Sequence, residues 1–345
     1  LLSAPAHAAP ASPGDDTLVQ AREALGRKDK AQLAAARSTL VAANHPLAMW
    51  AAYWELGNRL AEAQQPELDA FYARWPGTYV EDRLRNDWLL ELGRRRDWAN
   101  LVVEYPRFRM NDDREVTCYA LLTQHQAGQD VRAAALAAWY AQKELDDGCA
   151  LLASTLAEAK VIGGEDIWHE IRLSVENNRP RAARAAAALV GPATEKSVAE
   201  ALDNPVRYLT RLPRHVPAAS QPLALLALMR LAANDPEAAA NQLQDGWSQR
   251  LAAPLAATAW AHVARQAAFK QWPLAAVYAR QAWQARDGVK PAAAAQPHWG
   301  DELLAWHVRA ALRQPASDHQ RWPLVQRAVA GMSVPPFQNG AIDVM

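Results

Sequence analysis

The chain has 345 residues with 37 basic and 37 acidic side chains, so it carries no formal net charge, which argues against a nucleic acid or an anionic membrane surface as the main partner. Its 76 Ala and 40 Leu stand against 4 Ile, 21 Val and 9 Thr, a vocabulary of helix formers that excludes a mostly β or α/β fold. Half the residues are apolar, yet no run approaches the roughly 18 to 20 consecutive apolar residues of a spanning helix, so the composition predicts a soluble, all-α protein.

In chain order, residues 1–8 read LLSAPAHA, ending in the small-x-small pattern Ala6-His7-Ala8 that signal peptidase cuts. Residues 1–14 are accordingly read as a signal-peptide remnant and disordered N-terminus, with a plain flexible terminus as the alternative. Export would place the chain in an oxidising compartment, the periplasm.

From residue 15 onward, helix-breaking turns recur, each followed by a short amphipathic, Ala-rich stretch. They begin at 26 (GRKDKAQLAAA), 93 (GRRRDWANLVV), 128 (GQDVRAAALAAW), 177 (NNRPRAARAAAAL), 234 (NDPEAAANQL) and 270 (KQWPLAAVYAR). Some of their spacings lie near one or two multiples of about 34, the period of tetratricopeptide-type hairpins, and others do not. No copy carries a full consensus. The prediction for 15–285 is an irregular α-solenoid, a superhelix of short helical hairpins that each bury an apolar stripe on the next.

The expected stripes are Trp50, Tyr53, Trp54, Gly57 and Leu60; Leu84, Trp88 and Leu92; and Leu136, Trp139 and Tyr140. Asn44-His45-Pro46 and Asp235-Pro236-Glu237 read as helix starts. Residues 286–296 form the clearest linker, after which helices near 298–312 and 320–331 continue the superhelix to 332. Residues 333–345, SVPPFQNGAIDVM, read as a non-helical tail and a truncation or chance reading frame rather than a domain edge.

The search for chemistry nominates no catalytic, cofactor-binding or metal-ligating residue and no cofactor. HExxH, GxSxG, GxxxxGK[ST] and GxGxxG are absent. His298 and His307 are the nearest approach to a metal pair, with exposed or helix-capping histidines the simpler reading. Gly163-Gly164 reads as a turn. Asp112-Asp113, Asp146-Asp147 and Glu165-Asp166 precede apolar runs, where acids stabilise helix N-termini. Fourteen Trp residues either fill space between hairpins, the favoured reading, or present faces to sugar rings. Arg94-Arg95-Arg96 is expected to solvate a turn.

Residues 71–108, FYARWPGTYVEDRLRNDWLLELGRRRDWANLVVEYPRF, carry a resemblance. The segments Tyr72–Thr78 and Arg83–Leu89, with Asp97-Trp98 and Tyr105-Pro106, resemble the N-terminal superhelical region of the soluble lytic murein transglycosylases, periplasmic enzymes that cleave peptidoglycan. The order of helices fits that family from about residue 15 to 332. The resemblance implies a U-shaped or ring-like packing of helices that precedes a linker superhelix and a lysozyme-like catalytic domain. In that family the catalytic Glu stands in a Glu-Ser motif, and this chain contains no Glu-Ser dipeptide. No catalytic residue carries over.

The expectation is therefore a non-catalytic scaffold region whose partners are the catalytic domain of the full polypeptide and, weakly or indirectly, glycan strands. The alternative is a periplasmic helical-repeat adaptor for another protein. Cys118 and Cys149, 31 residues apart, fit either two buried thiols or a disulfide between the first and third helices of a hairpin stack. The expected export favours the disulfide.

Overall fold

The structure, a computed structural model, describes residues 14–288 and 299–333. The signal-peptide remnant up to residue 13, His298, most of the 286–296 linker and the tail beyond Ser333 lie outside the described residues. Of the described residues 77% are helical and none is in a strand. The chain divides into two compact units, Leu1–Val161 and Ile162–Met345.

In the first unit, helices α1 (Asp15–Arg27), α2 (Lys30–Ala42) and α3 (Ala48–Asn58) pack on one another around Ala21, Ala24, Leu33, Leu40 and Ala51. They are followed by α4 (Gln65–Arg74), α5 (Tyr79–Arg95), α6 (Trp98–Glu104), α7 (Arg114–Gln126), α8 (Arg132–Tyr140) and α9 (Asp147–Glu158). Leu84, Trp88 and Leu92 on α5 fill the second core with Leu68, Phe71, Leu101 and Tyr119. The expected α3 stripe is different. Its buried face is Ala48, Ala51, Ala52 and Leu56, while Trp50, Tyr53 and Trp54 are half-buried and Gly57 is exposed. Small side chains let the helix axes approach, and the larger rings are displaced to the flank, where Trp50 meets Tyr79.

Helix α7 packs closely on α5 and α9. A Cβ on Gly93 of α5 would lie 2.3 Å from the Tyr119 ring, and one on Gly148 of α9 would lie 2.7 Å from the Glu115 carbonyl oxygen. Glycine is required at both positions by close approach. A disulfide joins Cys118 of α7 to Cys149 of α9 with Cα atoms 4.9 Å apart, α8 being the helix between them in sequence.

The second unit comprises α10 (Gly164–Glu176), α11 (Pro180–Val190), α12 (Pro192–Asp203), α13 (Pro205–Arg211), α14 (Gln221–Asn234), α15 (Pro236–Gln242), α16 (Ser248–Arg250), α17 (Ala253–Phe269), α18 (Ala275–Asp287), α19 (Asp301–Leu312) and α20 (Arg321–Ala330). Helices α11 to α15 and α17 carry Pro at the first or second position, where its missing N–H has no intrahelical partner to lose. Helix α17 is buried on nearly every side and packs on α14, α18 and α19. A π-helical turn, Leu243–Trp247, joins α15 to α16 around Gly246 at φ 127°.

One terminator closes seven helices. The first or second residue after the helix adopts the left-handed conformation at Lys28, Asn44, Arg96, Gly128, Lys160, Asn178 and Gln271. Its N–H returns to the carbonyl three residues back, and the next N–H returns five back, as in Lys160 to Ala157 at 3.0 Å and Val161 to Leu156 at 2.9 Å. This paired bond is the Schellman motif. Helix starts are equally regular: the Asp29, Asp97, Asp113, Asp146 and Asp235 carboxylates and the Thr78 hydroxyl each accept a first-turn backbone N–H. The six turn strings found in the sequence all fall between consecutive helices.

Candidate functional site

The acidic pairs serve helix starts. Asp113 and Asp146 cap α7 and α9, and Asp166 accepts the Gly163 N–H at 2.8 Å, which makes Gly163-Gly164 the turn into α10. His307 is fully buried on α19 with its Nε2 3.0 Å from the Ala261 carbonyl oxygen, which makes it a packing residue. Among the described residues no group of His, Cys, Asp or Glu is placed to hold a metal ion. The arginine run does more than solvate its turn: Arg94 and Arg95 pair with Glu91, and Arg95 also donates to the carbonyls of Leu60 and Ala63. Six of the tryptophans, including Trp88 and Trp260, are buried, whereas Trp322 is largely exposed.

The segment 71–108 turns out to be a buried polar network. Arg85, stacked 3.9 Å over the Tyr72 ring, bonds Glu104 and reaches Glu81 at 2.8 Å. Gln65 donates to Glu104 and accepts the Trp88 indole N–H at 2.8 Å. Asp82 accepts the backbone N–H groups of Arg109 and Met110 at 3.0 and 2.7 Å, fixing the loop after Tyr105-Pro106. Gly77 takes φ 75° in the turn, and Thr78 then caps α5. The residues that carry the resemblance therefore hold α4, α5 and α6 together, with Asp82, Arg85 and Glu104 buried and bonded within the network.

A cleft with unspent polar groups lies in the second unit, where α10, α14 and α17 end close together. A cation from another element covers a carbonyl in each final turn: Arg265 donates to the Glu176 oxygen at 2.6 Å, Lys270 to the Asn234 oxygen at 2.7 Å, and Arg313 to the Ala268 oxygen at 2.8 Å. Together with Glu302 and Trp306 of α19, these ends enclose a cavity of about 450 Å³. Arg265 is also bonded to Glu302 at 2.8 Å. Phe269 stands 63% exposed, its ring edge-on to Trp306 at 5.3 Å.

Glu176 forms part of the floor with its side chain 15% exposed, and among the described residues its carboxylate accepts no hydrogen bond. Burial pushes it up to about 6, with Arg265 pulling it down and Glu302 pushing it up. His262 lies 3.9 Å away, and burial, reinforced by Arg265 and His307, pushes it down to about 3, so at neutral pH the pair is a carboxylate beside a neutral imidazole. The arrangement suits hydrogen bonding and stacking. Sequence reasoning missed it because its residues are spread from 176 to 306, with no local signal to join them.

No protein-family model matches the chain, and no curated protein matches it. Solved structures do. An inactive mutant of the lytic transglycosylase Slt from Pseudomonas aeruginosa matches at TM-score 0.52 and 22% identity over 90% of this chain and 55% of its own. The 70-kDa soluble lytic transglycosylase in complex with bulgecin A matches at 0.53 and 17% over 96% of this chain and 51% of its own. The 70-kDa enzyme from Escherichia coli matches at 0.53 and 16% over 92% and 50%. At these identities the likeness is one of fold, and the chain spans about half the length of each solved protein. The chain thus has an all-helical fold shared with the soluble lytic transglycosylases.

Proposed function

We propose that this chain is the non-catalytic helical scaffold region of a periplasmic peptidoglycan lytic transglycosylase, which positions a lysozyme-like catalytic domain and glycan strands in cell-wall turnover. The observation that carries the reading is the fold likeness to lytic transglycosylases over 90 to 96% of this chain. The Cys118–Cys149 bridge supports an oxidising compartment, and no described helix is long and apolar enough to cross a membrane. The sequence adds the absence of a Glu-Ser dipeptide.

The test is co-sedimentation of the purified chain with peptidoglycan sacculi, with the supernatant analysed for 1,6-anhydromuropeptides. The expected outcome is association without product release, since forming the anhydro ring needs an acid/base Glu beside the scissile bond. Release of anhydro products by this chain would overturn the scaffold assignment. Absence from the sacculus pellet would overturn the cell-wall assignment and favour an adaptor for another protein.

A further inference from the structure

From the cleft in the second unit we infer a saccharide-binding site: the converging ends of α10, α14 and α17, walled by α19, are built to take a neutral, N-acetylated pyranose ring. Its place follows from the cleft alone, while the choice of sugar rests on the cell-wall reading above.

Charge decides the class of ligand. Both terminal nitrogens of Arg265 are committed, one to the Glu176 carbonyl and one to Glu302, and Lys270 is committed to the Asn234 carbonyl. The lining sets these two cations against two carboxylates, Glu176 and Glu302, and so carries no excess positive charge to hold a phosphate or carboxylate. The polar groups still unspent are the Glu176 carboxylate and the side-chain amides of Asn177 and Gln266, none of which makes a hydrogen bond among the described residues. Planar acceptors and amides of this kind pair with adjacent hydroxyls and with an acetamido group, each of which is both donor and acceptor.

The apolar half of the site is Phe269. A phenyl ring 63% exposed at a cleft mouth, braced edge-on by Trp306, gives the C–H face of a sugar ring and an acetamido methyl a surface to leave water on. The cavity, about 450 Å³, falls within the range of about 300 to 1,000 Å³ usual for small-molecule sites. A cavity in the first unit, with Arg37, Arg59 and Arg74 on its walls, differs in leaving the Arg74 guanidinium without a hydrogen bond among the described residues, which suits an anion better than a neutral sugar.

The full chain is titrated by calorimetry with the tetramer of N-acetylglucosamine and, separately, with maltotetraose. Saturable binding of the N-acetylated tetramer is expected. Phe269→Ala and Glu176→Gln should each weaken it by at least about fivefold, the loss one stacking face or one hydrogen bond to a charged group supports. Arg74→Ala should leave it unchanged, and circular dichroism should show all three variants folded. Undiminished affinity in both cleft variants would overturn the site. Equal binding of maltotetraose would overturn its N-acetyl selectivity, and no heat with either sugar at about 10 mM would overturn the saccharide assignment. None of these outcomes touches association with whole sacculi, so the cleft and the cell-wall reading stand or fall by separate measurements.

Discussion

A left-handed backbone costs an L-residue on the order of 1 kcal/mol relative to glycine, yet six of the seven Schellman positions are not glycine. Lys160 is exposed and its side chain makes no bond among the described residues, so Lys160→Gly removes the strain without removing a described contact. It is expected to raise stability by about 0.5 to 1 kcal/mol, after the greater freedom of glycine in the unfolded chain is counted, as a higher urea midpoint at unchanged slope. Gly93 presents the opposite case. Its backbone is ordinary helix and its constraint is space, with Tyr119 ring atoms at 2.3 Å from any added Cβ. Gly93→Ala should lower stability by about 1 to 3 kcal/mol or more, because the ring that must move is pinned in the core between α5 and α9. A change below about 0.5 kcal/mol in the same urea assay would contradict that packing.

Helix α10 buries a carboxylate for which the scaffold reading has no use. Glu170 is fully buried and accepts the Ser174 hydroxyl at 2.6 Å, and burial raises it to about 7, against the pull of Ser174 and Arg179. The folded state therefore holds this proton more tightly than the unfolded chain. Its contribution to stability is full below about pH 4.5 and is lost as pH rises through 7. His262 and His307 work the other way: burial lowers them to about 3 and about 4, so their share is present above about 6.5 and lost on acidification. Glu176, raised by burial to about 6, adds to the Glu170 trend, so between about pH 5 and 7 the two carboxylates offset the two histidines and the native chain should show a nearly flat stability profile. Glu170→Gln unmasks the histidines, and its stability at pH 5 relative to pH 7 should fall by about 2 kcal/mol compared with the parent. Parallel profiles for parent and variant in urea titrations at the two pH values would contradict the burial of Glu170.

Sequence periodicity exposed much of this element structure and six of its turns. Leu84, Trp88 and Leu92 follow a spacing that only a buried helix face explains, and Gly-, Asn- or Lys-rich turn strings mark helix ends because they break the pattern. On α3 the same rule selected the largest rings, but close packing of helices favoured Ala48, Ala51 and Ala52. The cleft of α10, α14, α17 and α19 depends on contacts between distant segments, for which one sequence holds no local signal.

At the scale of the whole chain, the disulfide belongs to one unit and the Glu170 and histidine groups to the other. Closing a loop of 31 residues stabilises the first unit by about 3 to 4 kcal/mol in the chain-entropy picture. Thiol counting on denatured, unreduced protein from an oxidising compartment should find no free thiol. Adding reductant should then raise hydrogen exchange in α7 and α9 while α14, α17 and α18 keep their protection. Equal loss in both sets would show that the two units open as one.

The recurring turn also bears on how the folded chain meets a protease. Lys28, Arg96 and Lys160 are basic residues exposed at turn tips, the places where trypsin-like enzymes ordinarily nick a protein. Each is locked by two backbone hydrogen bonds in a tight left-handed bend, whereas a protease cleft reads an extended strand. Cleavage there must wait for the turn to open. At Lys160, one residue from the boundary between the units, a single cut would sever the chain into its two compact halves.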